Sequence, residues 1–359
     1  MINDDYPYLI HFIGSPSSWY EFRLSLIYAT QAIDFPEYQE QCLLVFPDEQ
    51  WLLLDKKYLK DFSQQVLIKN QKPEGLTYCS EEAALRNLPE AFTLISHVFC
   101  QKGMIEYRAI FEAMPKVRLV GSSSKVIRLT QSKLATKQAV VEADLPVPDS
   151  LIIESEKKLQ ASLLRIPQLG KKVIVKPDDT DNSKGLSLIH DTSDTKVLTK
   201  AIEKALKYST TALVETYIPG REIRTCVVET NQRFTVPAMI EYHVSEQHPI
   251  REEADKLRLD TKGMPLSQSA YKNITASCPA NLGEKLREKL HTYSIQAHQA
   301  LDCKQFSIFD FRVSDQTQEA YLLEAGLYWS FSPQSMISKM LTASDIDFAK
   351  LSRQVVDEA

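Results

Sequence analysis

With 359 residues, 43% hydrophobic and 25% charged, the chain has room for two or three domains of about 150 residues and the composition of an ordinary soluble globular protein. A net charge of -5 offers no footprint for nucleic acid, and no apolar run approaches the roughly 18 residues of a membrane span. The six cysteines lack CxxC or CxxH spacing and read as reduced thiols, which excludes a disulfide frame or zinc site, and the start MINDDYPYLIHF has acids where a secretion signal has bases, so a cytoplasmic protein is expected.

The first third alternates strand and helix patterns. Residues 8–13 (YLIHFI) form a short apolar run ending at Gly14-Ser15-Pro16, and Phe22, Leu26, Ala29 and Ile33 then recur near the helical period. Strand-like runs follow at 42–46, 51–54, 92–100 and 117–120, with helical patterns at 81–88 and 106–114. This alternation predicts a mostly parallel sheet covered on both faces, whose ligands would sit beyond the strand ends near Gly14 and Gly121. There is no GxGxxG, so a dinucleotide is unsupported. The run Val120-Gly121-Ser122-Ser123-Ser124 reads as a domain junction.

A helix is predicted over 126–143, stopped by the stiff segment Leu145-Pro146-Val147-Pro148. It sets Lys133 and Lys137 on one face; without further context they read as two solvated lysines. Residues 172–176 (KVIVK) form a strand, and the polar loop 177–185 leads into a second strand at 186–189. Backbone N–H groups of that loop and the Ser183 hydroxyl suit phosphates, although many hairpin loops share this composition. Lys176 ends an apolar strand and needs an anionic partner. In 212–224 (ALVETYIPGREIR), Glu215 lies inside an apolar run and needs donors, while Glu222 opens the strand after Gly220.

Residues 243–276 are polar and irregular, a length common in lids, and Arg251, Lys256, Arg258 and Lys262 give anion-binding capacity; composition alone favours a mobile surface excursion. After a helix at 282–301 comes a hairpin pattern, 306–326. Alternation puts Phe309, Phe311 and Val313 on one face and Ile308, Asp310 and Arg312 on the other, with Leu322, Glu324 and Gly326 sharing a face of the return strand. A loop centred near Thr317 sets Asp310 opposite Glu324, two carboxylates that repel unless a divalent cation joins them. A solvated hairpin edge with two unrelated acids is the other reading, and a one-residue slip would separate the pair. A helical tail begins near Gln334.

The ordered motifs VIVKP, the loop ending Ser183-Lys184-Gly185, LVETYIPGREIR and FDFRV…LLEAG resemble the ATP-grasp superfamily and, within it, the D-alanine–D-alanine ligase family, over nearly the whole chain. The resemblance implies an α/β ATP-grasp fold: an N-terminal parallel-sheet domain (1–124), then a central subdomain (125–217) and a C-terminal subdomain (218–359) that clasp ATP. It implies a C–N bond-forming ligase that releases ADP and phosphate, uses Mg²⁺ or alternatively Mn²⁺, acts on small molecules and is compatible with a homodimer. Lys133 and Lys176 would reach the phosphates. Glu215, Tyr217 and Ile218 would read adenine, Glu222 the ribose, and Ser183 and Gly185 would cover the phosphates. Asp310 and Glu324 would hold the metal, and Lys256 would meet the γ-phosphate. Glu21, Asn182, Ser330 and Ser335 would face the substrates.

Four positions depart from the family pattern. Ile308 replaces an Arg two residues before the metal Asp, and Arg312 is on the right face to substitute as a catalytic cation beside Lys256 and Ser183. Gly326 replaces an Asn metal ligand, Ser330 an oxyanion-binding Gly, and Asn182 a loop Ser. Together with IGSP, FCQKGMIEYRAIF, HPIREEADKL and LLEAGLYWSF, these changes resemble the ATP-grasp ligases of mycosporine-like amino acid synthesis. That narrower resemblance implies mycosporine-glycine as acceptor and serine or threonine as amine. Tyr328, Trp329 and Phe331 would then wall the ring, or else belong to ordinary core packing. A dipeptide ligase and a non-catalytic ATP-binding regulator are the alternatives.

Overall fold

Three sheets organise the chain in the computed structural model, which describes residues 7–69, 71–154, 156–256 and 275–359. The first contains β1 (Tyr8–Gly14), β2 (Gln39–Val45), β3 (Trp51–Asp55), β4 (Phe92–Ser96) and β5 (Val117–Leu119) in the order β3-β2-β1-β4-β5. All pairings are parallel except β2–β3, as the alternating pattern predicts. Alternate residues serve opposite faces. Ile10 and Phe12 pack with Leu43, Val45 and Phe111, whereas Ile13 packs with Leu44 and with Phe22 and Leu26 of the helix Trp19–Thr30.

The second sheet is antiparallel, in the order β6-β9-β7-β8, where β6 is Ser150–Ile153, β7 Val173–Pro177, β8 Ser187–Ile189 and β9 Ala212–Thr216. Val173, Val175, Ala212 and Val214 bury one face beneath the helices Glu156–Leu163 and Thr195–Leu206. By the same alternation Ile174, Lys176 and Glu215 point to the opposite face.

The third sheet runs β13-β12-β10-β14-β15, with β11 also on β10; its strands are β10 (Gly220–Thr230), β11 (Arg233–Thr235), β12 (Ile240–Tyr242), β13 (Ala276–Ser277), β14 (Phe306–Ser314) and β15 (Ala320–Gly326). One face (Ile223, Val227, Phe309, Phe311, Val313) packs on the helix Glu284–Ala300 and on Val126, Ile127 and Val140. The other face is split. At one end Cys226, Val228, Phe306 and Ile308 join Leu9, Ile95 and Val120 of the first sheet and the tail helices Met336–Thr342 and Phe348–Asp357. At the other end the same face carries Glu222, Arg224, Asp310 and Arg312.

Two local expectations change. The helix expected over 126–143 is two helices, Ser124–Gln131 and Lys133–Val141, because Ser132 caps the second: its Oγ accepts from Ala135 N at 3.0 Å and donates to Asp178 at 2.7 Å. In the hairpin, Leu322 does not share a face with Glu324. A bulge leaves Leu323 as an extra residue, so Leu322 enters the core with Phe311 while Glu324 stands opposite Asp310.

Candidate active site

The polar face of the second sheet and the polar end of the third enclose one cleft. Lys133, Lys176, Ser183, Glu215, Tyr217, Ile218, Glu222, Asp310, Arg312 and Glu324 all line it. A separate cavity of about 320 Å³ beside Gly121, Glu229 and Lys304 contains none of them.

On the second-sheet wall the buried Glu215 lies between two ammonium groups, Lys137 at 2.6 Å and Lys176 at 2.9 Å. Read in isolation as solvated, Lys133 and Lys137 are in fact 7% and 4% exposed. Burial alone would raise the Glu215 carboxyl, but the charges of Lys137 and then Lys176 outweigh it and bring it down to about 2. The Lys137 contact is close but poorly aligned, so neither Lys137 Nζ nor Glu215 Oε1 makes a directed hydrogen bond. Lys133 Nζ donates to the carbonyls of Asp178 at 3.2 Å and Thr180 at 2.5 Å, the polar loop's own backbone.

That loop has an unusual backbone. Asn182 and Ser183 adopt φ of 58° and 60°, and Gly185 adopts 78°. A Cβ on Gly185 would stand 2.6 Å from the Pro177 ring and 2.8 Å from Tyr208, so the position admits only glycine. Ser183 Oγ donates to the Arg251 carbonyl at 2.7 Å, tying the loop to the segment that precedes the one-turn helix Glu253–Lys256. Nothing is described of the Lys256 side chain, and Arg258, Lys262 and most of the expected lid fall outside the described residues.

The third-sheet wall is a lattice of acids and guanidiniums. Arg224 of β10, directly opposite Asp310 of β14, donates from Nε and Nη2 to its two oxygens at 2.6 and 2.7 Å. Arg251 donates to Glu222 at 2.5 Å and to Asp310 at 3.3 Å, with its guanidinium 3.6 Å from the centre of the Tyr242 ring. Glu222 and Asp310 both oppose the burial cost of the Arg251 charge and keep the guanidinium protonated. Arg312, expected beside the reacting oxygen, is turned the other way. It donates to the Ile218 carbonyl at 2.9 Å, the Pro249 carbonyl at 2.8 Å and Tyr217 Oη at 3.2 Å: near the turn of the hairpin and opposite Glu222 of β10, its side chain meets the β9–β10 connection.

The expected substrate residues are not among those lining the cleft. Glu21 Oε2 accepts from Ser15 and Ser18 at 3.1 and 3.0 Å, at the start of the first helix. Ser330 is buried, and its Oγ has no partner among the described residues. Ser335 caps the helix Met336–Thr342 and donates to Ser338 Oγ at 2.8 Å. Trp329 and Phe331, offered as a ring wall, stack on each other at 4.5 Å inside the core; of that trio only Tyr328 is exposed, at 39%. Sequence reasoning missed Arg224, although it lies two residues from Glu222 and hence on its face; the spacing was a signal, but the pairing of β10 with β14 was not visible.

The profile described as the D-ala D-ala ligase C-terminus matches residues 140–357. Among curated proteins, an uncharacterized protein of Sinorhizobium fredii, y4sG, is 28% identical over 246 residues, covering 68% of this chain and 67% of its own. A D-alanine–D-alanine ligase of Clostridium acetobutylicum is 26% identical over 250 residues, with 68% and 67% covered. Among solved structures, the VanG D-Ala:D-Ser ligase of Enterococcus faecalis superposes with a TM-score of 0.74 over 98% of both chains at 17% identity, a likeness of fold.

Proposed function

The chain belongs to the D-alanine–D-alanine ligase family, and from that premise we propose an ATP-dependent ligase that phosphorylates an acceptor oxygen and joins an amine to the acceptor. The observation that carries the reading is the opposition of Asp310 and Glu324 inside a cleft whose other wall presents Lys133, Lys176 and Glu215. In this reading Lys133 and Lys176 bind the phosphates and Ser183 and Gly185 shape the loop above them. Glu222 takes the ribose, and Glu215 with Tyr217 and Ile218 takes the adenine.

Asp310 and Glu324 suit Mg²⁺, or Mn²⁺. Both are hard oxygen donors facing each other, and among the described residues no cluster of three His, Cys, Asp or Glu forms a closed metal cage. That is the donor set of a cation that completes its shell with phosphate and water. When bound, such an ion would neutralise charge on the phosphate oxygens. Arg312 braces the hinge and Glu222 rather than the reacting centre, a revision of the role expected from its strand face.

The chemistry balances in two steps. The acceptor oxygen attacks the γ-phosphorus as the bond to ADP breaks. The amine then attacks the carbon bearing the phosphate, C–N forms as C–O breaks, and the amine proton leaves to solvent. The product is released with ADP and phosphate. The relatives' names favour an amino-acid carboxylate as acceptor, hence a dipeptide ligase. A second reading, mycosporine-glycine with serine or threonine, is favoured by Ile308 and Gly326, which pair across the hairpin where the family has polar groups. Phosphate release with mass detection of product separates them. D-alanyl-D-alanine with no turnover on mycosporine-glycine establishes the first and eliminates the second. Turnover on mycosporine-glycine without D-alanyl-D-alanine establishes the second and eliminates the first, and no turnover with any amine leaves the regulator.

A further inference from the structure

Glu215 carries one charge and faces two ammonium groups. Lys137 stands 2.6 Å from Oε1 and Lys176 2.9 Å from Oε2. All three residues are buried, Glu215 at 2%, Lys137 at 4% and Lys176 at 7% exposed. The wall therefore buries one positive charge beyond what this carboxylate balances. A buried charge is costly unless an opposite one meets it, so the arrangement suits an anion that enters from outside the chain.

The two lysines are not equivalent. Lys176, on β7, lines the cleft together with Glu215, whereas Lys137, on the helix Lys133–Val141, is not among the described residues that line it. Lys137 thus reaches the carboxylate from outside the cleft, and an incoming anion meets Lys176. The Lys137 contact is close but undirected, so this residue supplies charge rather than a hydrogen bond. Burial raises the Glu215 carboxyl, and of the two charges that bring it down, that of Lys137 is the stronger. Left with Lys176 alone, Glu215 would keep that ammonium as its only counter-ion and cancel its charge toward a ligand.

We infer that Lys137 is a positioning residue that acts through Glu215: it serves as the carboxylate's counter-ion from behind and so frees the Lys176 ammonium for a polyphosphate anion in the cleft. This rests on the reading above in which Lys176 binds phosphate. A positive charge near the cleft would attract phosphate whether or not Glu215 were ionised. A counter-ion role exists only while Glu215 carries its charge, and that difference can be measured.

The test titrates inorganic tripolyphosphate calorimetrically into the full chain, as wild type, K137M, K137R, E215Q, K137M/E215Q and K176M. The wild type should bind it and K176M should bind it at least about tenfold more weakly, since a point charge on a phosphate is lost. K137M should also lose about tenfold or more. In the E215Q background the same change should cost about threefold or less, because the charge that Lys137 offsets is gone. K137R keeps the charge and should restore most of the affinity. Melting temperatures report whether each variant is folded. If K137M is not, K137Q takes its place, and if E215Q is not, K137R against the uncharged variant decides. Unchanged affinity in K137M, equal losses in the wild-type and E215Q backgrounds, or equal losses in K137R and K137M would each overturn the inference. Failure of the underlying reading shows separately: a wild type that does not bind tripolyphosphate, or a K176M that binds it equally well, removes Lys176 as a phosphate ligand and the inference with it. Binding that is lost in K176M and indifferent to K137M removes the inference alone.

Discussion

Asp310 faces Glu324 only because β15 carries one residue more than its partner. From the turn outward, Val313 pairs with Ala320, Arg312 with Tyr321 and Phe311 with Leu322; the pairing then skips Leu323, and Asp310 meets Glu324. Without the skip Asp310 would face Leu323, and Glu324 would point with Phe309 into the core. Deleting Leu323 should turn the bulge into regular pairing, with Leu322 still against Phe311 and Glu324 still against Asp310, so Mg²⁺-dependent phosphate release should survive the deletion; its loss would show that the bulge itself is needed.

The two acids should differ when changed singly. Glu324→Gln removes a like charge across the strands and should end turnover at little or no cost in stability. Asp310→Asn also ends turnover, but it loosens the buried fork from Arg224 and should cost about 3 kcal/mol. Equal melting curves for the two variants would show that the Arg224 fork contributes nothing to the fold.

Glu215 sets a pH dependence. Its carboxyl is held down at about 2 in the folded chain, against roughly 4.3 unfolded. A depressed carboxyl stabilises the fold above its unfolded value and loses that contribution as pH falls through the window from about 4.3 to 2. Glu215→Gln should be less stable at pH 7, with Lys137 and Lys176 left unpaired, and should lose less on acidification over that window. Parallel stability–pH curves for the two proteins would contradict this.

How much of this was legible in the sequence depended on whether one strand or several were involved. Alternation within one strand exposed the faces of β7, β9 and β14, and the order of motifs indicated the fold. Pairings between strands distant in the chain were out of reach. Arg224 meets Asp310 only because β10 lies beside β14, and 86 residues separate the two side chains. Lys137 shares a helix face with Lys133, but whether that face meets water or Glu215 depends on docking. Trp329 and Phe331 looked like pocket residues because composition cannot say which way a loop turns; Phe331 takes a φ of 53° and its ring goes inward.

Arg312 should behave as a hinge brace. Its guanidinium spans the Ile218 and Pro249 carbonyls, which an ammonium cannot bridge with the same fork. Arg312→Lys should raise KM for ATP with little change in kcat, the pattern of a lost binding contact. A kcat falling with KM unchanged would return Arg312 to the reacting centre.

Arg251 occupies the place where the acids of the cleft converge. Its guanidinium lies between Glu222 and Asp310 and against the Tyr242 ring, and its carbonyl receives the Ser183 hydroxyl. A divalent ion seeking Asp310 must share that carboxylate with Arg251 and Arg224, and of the two Arg251 makes the longer contact, 3.3 Å against 2.6 and 2.7 Å. Removing Arg251 leaves Glu222 and Asp310 with less compensation and a stronger attraction for a cation. Arg251→Met should therefore bind Mn²⁺ more tightly without nucleotide, read by the loss of the free-ion signal in electron paramagnetic resonance. It should also lower the melting temperature of the metal-free protein, because the bridge between the two acids is gone. Both effects should shrink at high salt only slightly, since the bridge is buried and weakly screened. Weaker Mn²⁺ binding in Arg251→Met would mean that the arginine helps to build the metal site instead of competing for it.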